Sequence, residues 1–255
     1  MIGVIAFTGY WVVNDRAQTA AQRVWLDSKE SVPDILKENR VADLEATLQK
    51  ALAAAATLGK DDEDVHRFAN LHKEAQAANS MISIDFSACL NRSYDKDGQL
   101  LEGAEGIVLD LMSAGTFVFD TKLQPASPNG NEWGFELPAI DGKHAIKVVI
   151  SDPPDGNISE NTRLLFAARI QDVERPTNDN FDTWQLTLNA NSFALLTSES
   201  VAEYIGLPMD QDLKDLLQQQ ESVVMNAWGE GSRDNGDADA SSEPDAAEGE
   251  SNDSE

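Results

Sequence analysis

Between Met81 and Thr197 apolar and polar side chains alternate in short runs, with the two-residue period of strands that have one dry face. In Met81–Leu90, Ile82, Ile84, Phe86, Ala88 and Leu90 share one side, and Ser83, Asp85, Ser87 and Cys89 share the other. The same alternation predicts strands through Ile107/Leu109/Leu111, Thr116–Phe119, Trp133/Phe135/Leu137, Ile146/Val148/Ile150, Leu164/Phe166/Ala168/Ile170, Trp184/Leu186/Leu188 and Phe193–Leu196. Turn residues separate them at Asp97-Gly98, Pro128-Asn129-Gly130, Asp141-Gly142, Pro153-Pro154-Asp155-Gly156 and Asn189-Ala190-Asn191. About seven or eight short strands so spaced predict an antiparallel β-sandwich or open barrel over residues 80–197.

Outside this region the period changes to three and four, so the predicted class is α+β. Ala17–Ser28 has no breaker, and Ser31-Val32-Pro33-Asp34 reads as the start of a new helix running from Asp34 to Leu58. Its apolar stripe is Val41, Leu44, Leu48, Ala51, Leu52, Ala55 and Leu58. Gly59 stops it. Asp61-Asp62-Glu63-Asp64 then places negative charge at the start of a helix over Asp62–Asn79, with Val65, Phe68, Leu71, Ala75 and Ala78 as its stripe. A short link predicts a helical hairpin within residues 14–79. After the strands, Ser198–Ile205 and Pro208–Trp228 read as two helices within residues 198–228, and Gly229–Glu255 as a disordered acidic tail.

Met1–Val13 is apolar apart from Thr8 and glycines and ends beside Tyr10-Trp11. It is shorter than the roughly 20 residues of a full membrane span and lacks a basic leader with a cleavage site. The expectation is the distal part of a transmembrane anchor that begins upstream, with the following chain extracytoplasmic; a soluble protein with a tucked apolar terminus is the alternative.

Composition narrows the partners. The 255 residues are 41% apolar, enough for a core, and carry 45 acids against 19 bases for a net charge of −26. Such a chain repels a phosphate backbone, so nucleic acid is not an expected partner. The single cysteine, Cys89, excludes an internal disulfide and reads as a packed thiol.

Chemistry-bearing patterns are sparse. His66 and His72 stand six apart, about 120° around a helix, and do not form a metal pair; His144 is remote in sequence. Ser93-Tyr94-Asp95-Lys96-Asp97-Gly98 sets Ser93, Asp95 and Asp97 at the first three ligand positions of a calcium loop, but the terminal glutamate position holds Ala104. An ordinary β-turn is the preferred reading there, and weak Ca²⁺ binding the alternative. Acidic loops at Asp152–Asp155 and Asp172–Asp182 offer carboxylates for Ca²⁺, a glycan or glycoside hydrolysis. Phosphate-loop, dinucleotide, nucleophile-elbow and zinc-protease motifs are absent from the sequence.

The order of apolar amino end, helical linker and β domain resembles the layout of type IV pilins and pseudopilins, without the early glutamate those proteins carry. The expected function is a non-catalytic, membrane-anchored interaction or scaffolding protein that displays its β domain to a protein or glycan partner. An assembly subunit of pilin-like layout, self-associating through its helices, and a carboxylate-dependent hydrolase acting on glycans are the alternatives.

Overall fold

A computed structural model describes residues 2–82, 86–126, 132–137, 145–151, 160–177 and 183–231. The amino-terminal half is helical: α1 (Ile2–Lys37), α2 (Val41–Leu58) and α3 (Glu63–Asn79) follow one another with short links. Both links are made by the same device. At the first, Asn39 takes a positive φ of 56°, while the Asn39 and Arg40 amides donate to the carbonyls of Leu36 and Ile35. At the second, Gly59 at φ 62° does the same with Lys60, toward Ala56 and Ala55. This pair of bonds satisfies the last carbonyls of a helix and turns the chain back. Asp62 then caps α3 by accepting from the Val65 amide.

The predicted restart at Ser31–Asp34 is corrected. Pro33 lies inside α1, which runs on to Lys37. An interior proline costs about 3 kcal/mol, but α1 buries Trp25, Val32 and Ile35 on either side of it, each contributing about 1.5–3 kcal/mol. Packing outweighs the missing bond, and Asn39, not Pro33, ends the helix.

The predicted strand over Ile107–Leu111 and the Phe86–Leu90 part of the one over Met81–Leu90 are also corrected; Ser83–Asp85 lie outside the described residues, and Met81 makes an isolated bridge to Thr116. Residues Phe86–Asn91 form α4 and Ala104–Met112 form α5. In α5 the fully buried positions are Ala104, Val108 and Met112, four apart. Their helical spacing prevailed over the alternation of Ile107, Leu109 and Leu111.

Then come β1 (Thr116–Lys122), β2 (Gln124–Pro125), β3 (Glu132–Leu137), β4 (Ile146–Ser151), β5 (Arg163–Glu174), β6 (Trp184–Leu188) and β7 (Ala194–Leu195), followed by α6 (Glu199–Tyr204) and α7 (Gln211–Gly231). The strands form one sheet in the order β1-β5-β6-β4-β3-β2, with β7 beside β5. It is mixed, since β4 and β6 pair in parallel. The predicted antiparallel sandwich is thereby corrected, while the open-barrel alternative stands in part: the strands form a single curled, mixed sheet, a half-barrel. The turns predicted at Pro128–Gly130, Asp141-Gly142 and Pro153–Gly156 lie outside the described residues, as does the predicted acidic tail beyond Gly231; its first residues, Gly229–Gly231, are corrected to the end of α7.

The curl follows from connectivity. The two edges, β1 and β2, are separated only by Leu123, so one bent run of chain pairs with β5 at its start and with β3 at its end. In a flat sheet β1 and β3 would stand four strand spacings, about 19 Å, apart. The Phe119 and Phe135 rings they carry are 5.4 Å apart between centroids. Phe166 and Phe193 complete this aromatic interior, and Cys89, Leu90, Val108 and Met112 of α4 and α5 plug it.

Strand β5 divides the molecule into two cores. Leu164, Phe166, Ala168 and Ile170 face the barrel, whereas Leu165 and Ala167 face a helical layer of α1, α2, α3, α6 and α7. A register shift between Ile170 and Asp172 returns Val173 to the barrel side. Helices therefore take the place that a sandwich would give to a second sheet.

Candidate functional site

The helical layer encloses a cleft of about 660 Å³ between the carboxyl-terminal part of α1, one face of α3, the Thr197–Glu199 segment and α7. Its apolar lining comes from Val32, Leu36, Phe68, Leu71, Leu217 and Val224. Pro33, the proline that α1 absorbs, lines it too. Six of the seven charged residues in the lining are paired: Lys29 with Asp64, Arg67 with Glu221 at 3.4 Å, and Lys214 with Glu199 at 3.8 Å, while Asp215 accepts from the Gln211 side-chain amide. All six side chains stay substantially open to water, so each pair contributes little to stability and can exchange partners.

Behind this lining sits Glu74, with no exposed surface. Its Oε1 accepts from the Thr197 hydroxyl at 2.5 Å and from Asn70 Nδ2 at 2.7 Å, and its Oε2 accepts from the Ser198 amide at 3.0 Å. Asn70 Nδ2 also reaches the Thr197 hydroxyl at 3.2 Å. Burial pushes the Glu74 carboxyl up to about 7, against the Thr197 and Ser198 donors that favour its charge, while the nearby Glu221 adds to the rise. A group poised there changes charge near neutral pH. Asn70, Thr197 and Ser198 both hold Glu74 and line the cleft, so the carboxyl is coupled to the shape of that space.

Among the sequence-predicted residues, Ser93 is buried and its hydroxyl donates to the Leu90 carbonyl. Asp95 Oδ1 accepts from the amides of Asp97 (2.8 Å) and Gln99 (2.9 Å), and the Asp95 amide donates to the Gln99 carbonyl, closing a tight turn with Gly98 at φ 74°. These residues belong to the α4–α5 connection on the barrel side, where the Trp184 indole donates to the Tyr94 hydroxyl at 3.1 Å. Ser93, Asp95 and Asp97 line no part of the helical cleft. Among the described residues, no group of three or more His, Cys, Asp or Glu is arranged to hold a metal ion.

His66 lies 3.0 Å from Asp61. His72 is half-buried; burial lowers its pKa, Glu45 opposes the fall, and its buried Nε2 has no hydrogen-bond partner among the described residues. His144, Asp152–Asp155 and much of the Asp172–Asp182 loop lie outside the described residues. Cys89 is fully buried.

Glu74 is not among the residues that strand alternation or helical stripes single out, although its position carries a signal. It stands three residues after Leu71 and four before Ala78, squarely on the α3 stripe, where an acid must be satisfied internally. No family model matches the chain, and no curated protein or solved structure is similar to it.

Proposed function

We propose that the chain is a non-catalytic interaction or scaffolding protein, carried at a membrane by its apolar amino end and presenting the helical cleft to a segment of a protein partner. The observation that carries this reading is the course of α1. The helix is continuous from the apolar Ile2–Val13 run to the packed Ala21, Trp25 and Val32, and Asp15–Ala20 between them are exposed on every face. Six such residues span about 9 Å of bare helix between the packed part of α1 and its apolar run. Among the described residues no helix is long and apolar enough to cross a membrane. The proposed attachment therefore draws on apolar surface beyond that run or on binding in the interfacial plane.

The cleft supports the interaction half of the proposal. Its size suits a short peptide segment or a few side chains of a partner, with an apolar lining and exchangeable ion pairs among its polar residues. The assembly-subunit reading has one observation in its favour, since α1 also exposes Val24 and Leu26. The deciding experiment is sedimentation of the full chain with phospholipid vesicles. Co-sedimentation that disappears on deleting Met1–Val13 supports anchoring, and equal partition of the two forms into the supernatant overturns it.

A further inference from the structure

We propose that Glu74 is a proton-operated latch on the cleft, closed when the carboxyl is neutral and loosened when it ionises, so that the hold of α3 on the Thr197–Ser198 segment and α6 varies with pH. The inference rests on reading the cleft as the interaction site and concerns its regulation. Three donors from two separate stretches of chain converge on the one carboxyl: Asn70 from the preceding turn of α3, and the Thr197 hydroxyl and Ser198 amide from the link between β7 and α6. Ser198 is also the cap of α6, accepting from the Val201 amide, and its carbonyl accepts from Ala202 at 3.0 Å. Whatever loosens Ser198 therefore loosens the first turn of α6, and with it one wall of the cleft.

Among the described residues no cation pairs with Glu74. On α7 the facing group is Glu221, whose partner is Arg67 of α3; on α6 Glu199 follows Ser198 and pairs with Lys214; His72 and Lys73 precede Glu74 on α3; β7 contributes only Ala194 and Leu195. An ionised Glu74 thus depends on neutral donors alone within a dry layer, beside an acid. Opening the contact lets the carboxylate hydrate and returns its pKa from about 7 toward 4.5. By proton linkage the opening equilibrium then rises about tenfold between pH 6 and pH 8.

The test is amide hydrogen exchange on the full chain at pH 6 and pH 8, corrected for the intrinsic pH dependence of exchange. Protection of the Ser198 and Ala202 amides should fall about tenfold in the wild type and hold constant in Glu74→Gln. Constant protection in the wild type, or the same fall in the variant, overturns the latch. If Glu74→Gln does not fold, the side-chain carboxyl carbon of Glu74 in the wild type decides by NMR titration. A midpoint near 7 supports the proposal, and one in the ordinary carboxylate range overturns it. None of these measurements uses a partner, so the latch can fail while the cleft remains an interaction site, and the reverse.

Discussion

The side-chain amide of Gln220 answers both backbone polar groups of Leu165: its Oε1 accepts from the Leu165 amide at 2.7 Å, and its Nε2 donates to the Leu165 carbonyl at 2.9 Å. The same Nε2 donates to the Leu196 carbonyl at 2.5 Å, while the Leu196 amide donates directly to Leu165. Beyond the end of β7, then, an antiparallel pair keeps one of its two backbone bonds and receives the other through a glutamine. Helix α7 is stitched into the ladder of the sheet, which fixes the wall of the cleft that α7 supplies.

Replacing Gln220 with leucine keeps its volume but leaves the buried Leu165 amide without its acceptor, a loss of about 1–3 kcal/mol. Urea unfolding should show Gln220→Leu destabilised by that amount. Gln219→Leu, one residue away on the exposed face of α7, should be nearly unchanged. Equal effects at both positions would contradict the stitch.

Glu74 makes global stability depend on pH. Its folded pKa, about 7, lies above the value of 4.5 expected in the unfolded chain, so between these values the folded state holds the proton more tightly. The contribution is fully present below about pH 4.5 and is lost as pH rises through 7, amounting to about 3 kcal/mol. Chemical unfolding at pH 5 and pH 8 should therefore show the wild type losing stability toward pH 8. Glu74→Gln should lose markedly less over the same interval, and parallel slopes for the two proteins would show that Glu74 titrates as an ordinary surface acid.

Which parts of this architecture the sequence discloses depends on how many residues share a pattern. The α2 stripe from Val41 to Ala55 and the β5 alternation from Leu164 to Ile170 each repeat several times, and both stand as read. Residues 104–112 fit both periods at once, and only the tertiary demand for a plug of Ala104, Val108 and Met112 chooses the helix. The curl of the sheet is not a local property; it follows from β1 and β2 being one residue apart in sequence yet at opposite edges. Glu74 and Gln220 illustrate a different gap. Each is a polar residue on an apolar stripe, visible as an exception, but their partners at Thr197, Ser198, Leu165 and Leu196 lie 24 to 124 residues away in the chain.

Two glycines should respond to alanine with opposite signs. At Gly115 a Cβ would stand 2.5 Å from Ile82 Cγ2 and 2.6 Å from the Ser80 carbonyl oxygen, because Ser80–Ile82 bond across to Thr116 at this point. Backbone has little room to move, so Gly115→Ala should cost about 1–3 kcal/mol. Gly106 lies exposed within α5, where an added Cβ meets nothing within 4 Å. Gly106→Ala should gain about 0.5–1 kcal/mol from reduced chain entropy and better helix propensity. Thermal melts of the two variants should move in opposite directions from the wild type.

Phe166 is the side chain on which the closure of the half-barrel turns. It is fully buried, stacks on Phe193 at 4.8 Å, and lies 5.4 Å from Phe119 and 6.2 Å from Phe135. It therefore touches rings from β1 and β3, the strands brought together by the bend at Leu123. Phe166→Ala removes the central ring and leaves a cavity its neighbours cannot fill without opening the curl, at a cost of about 3–5 kcal/mol. Phe166→Leu keeps most of the volume and should recover more than half of that loss. If both variants lose equally, ring-to-ring contact sets the curvature; if neither loses more than about 1 kcal/mol, the interior is held instead by the α4 and α5 plug.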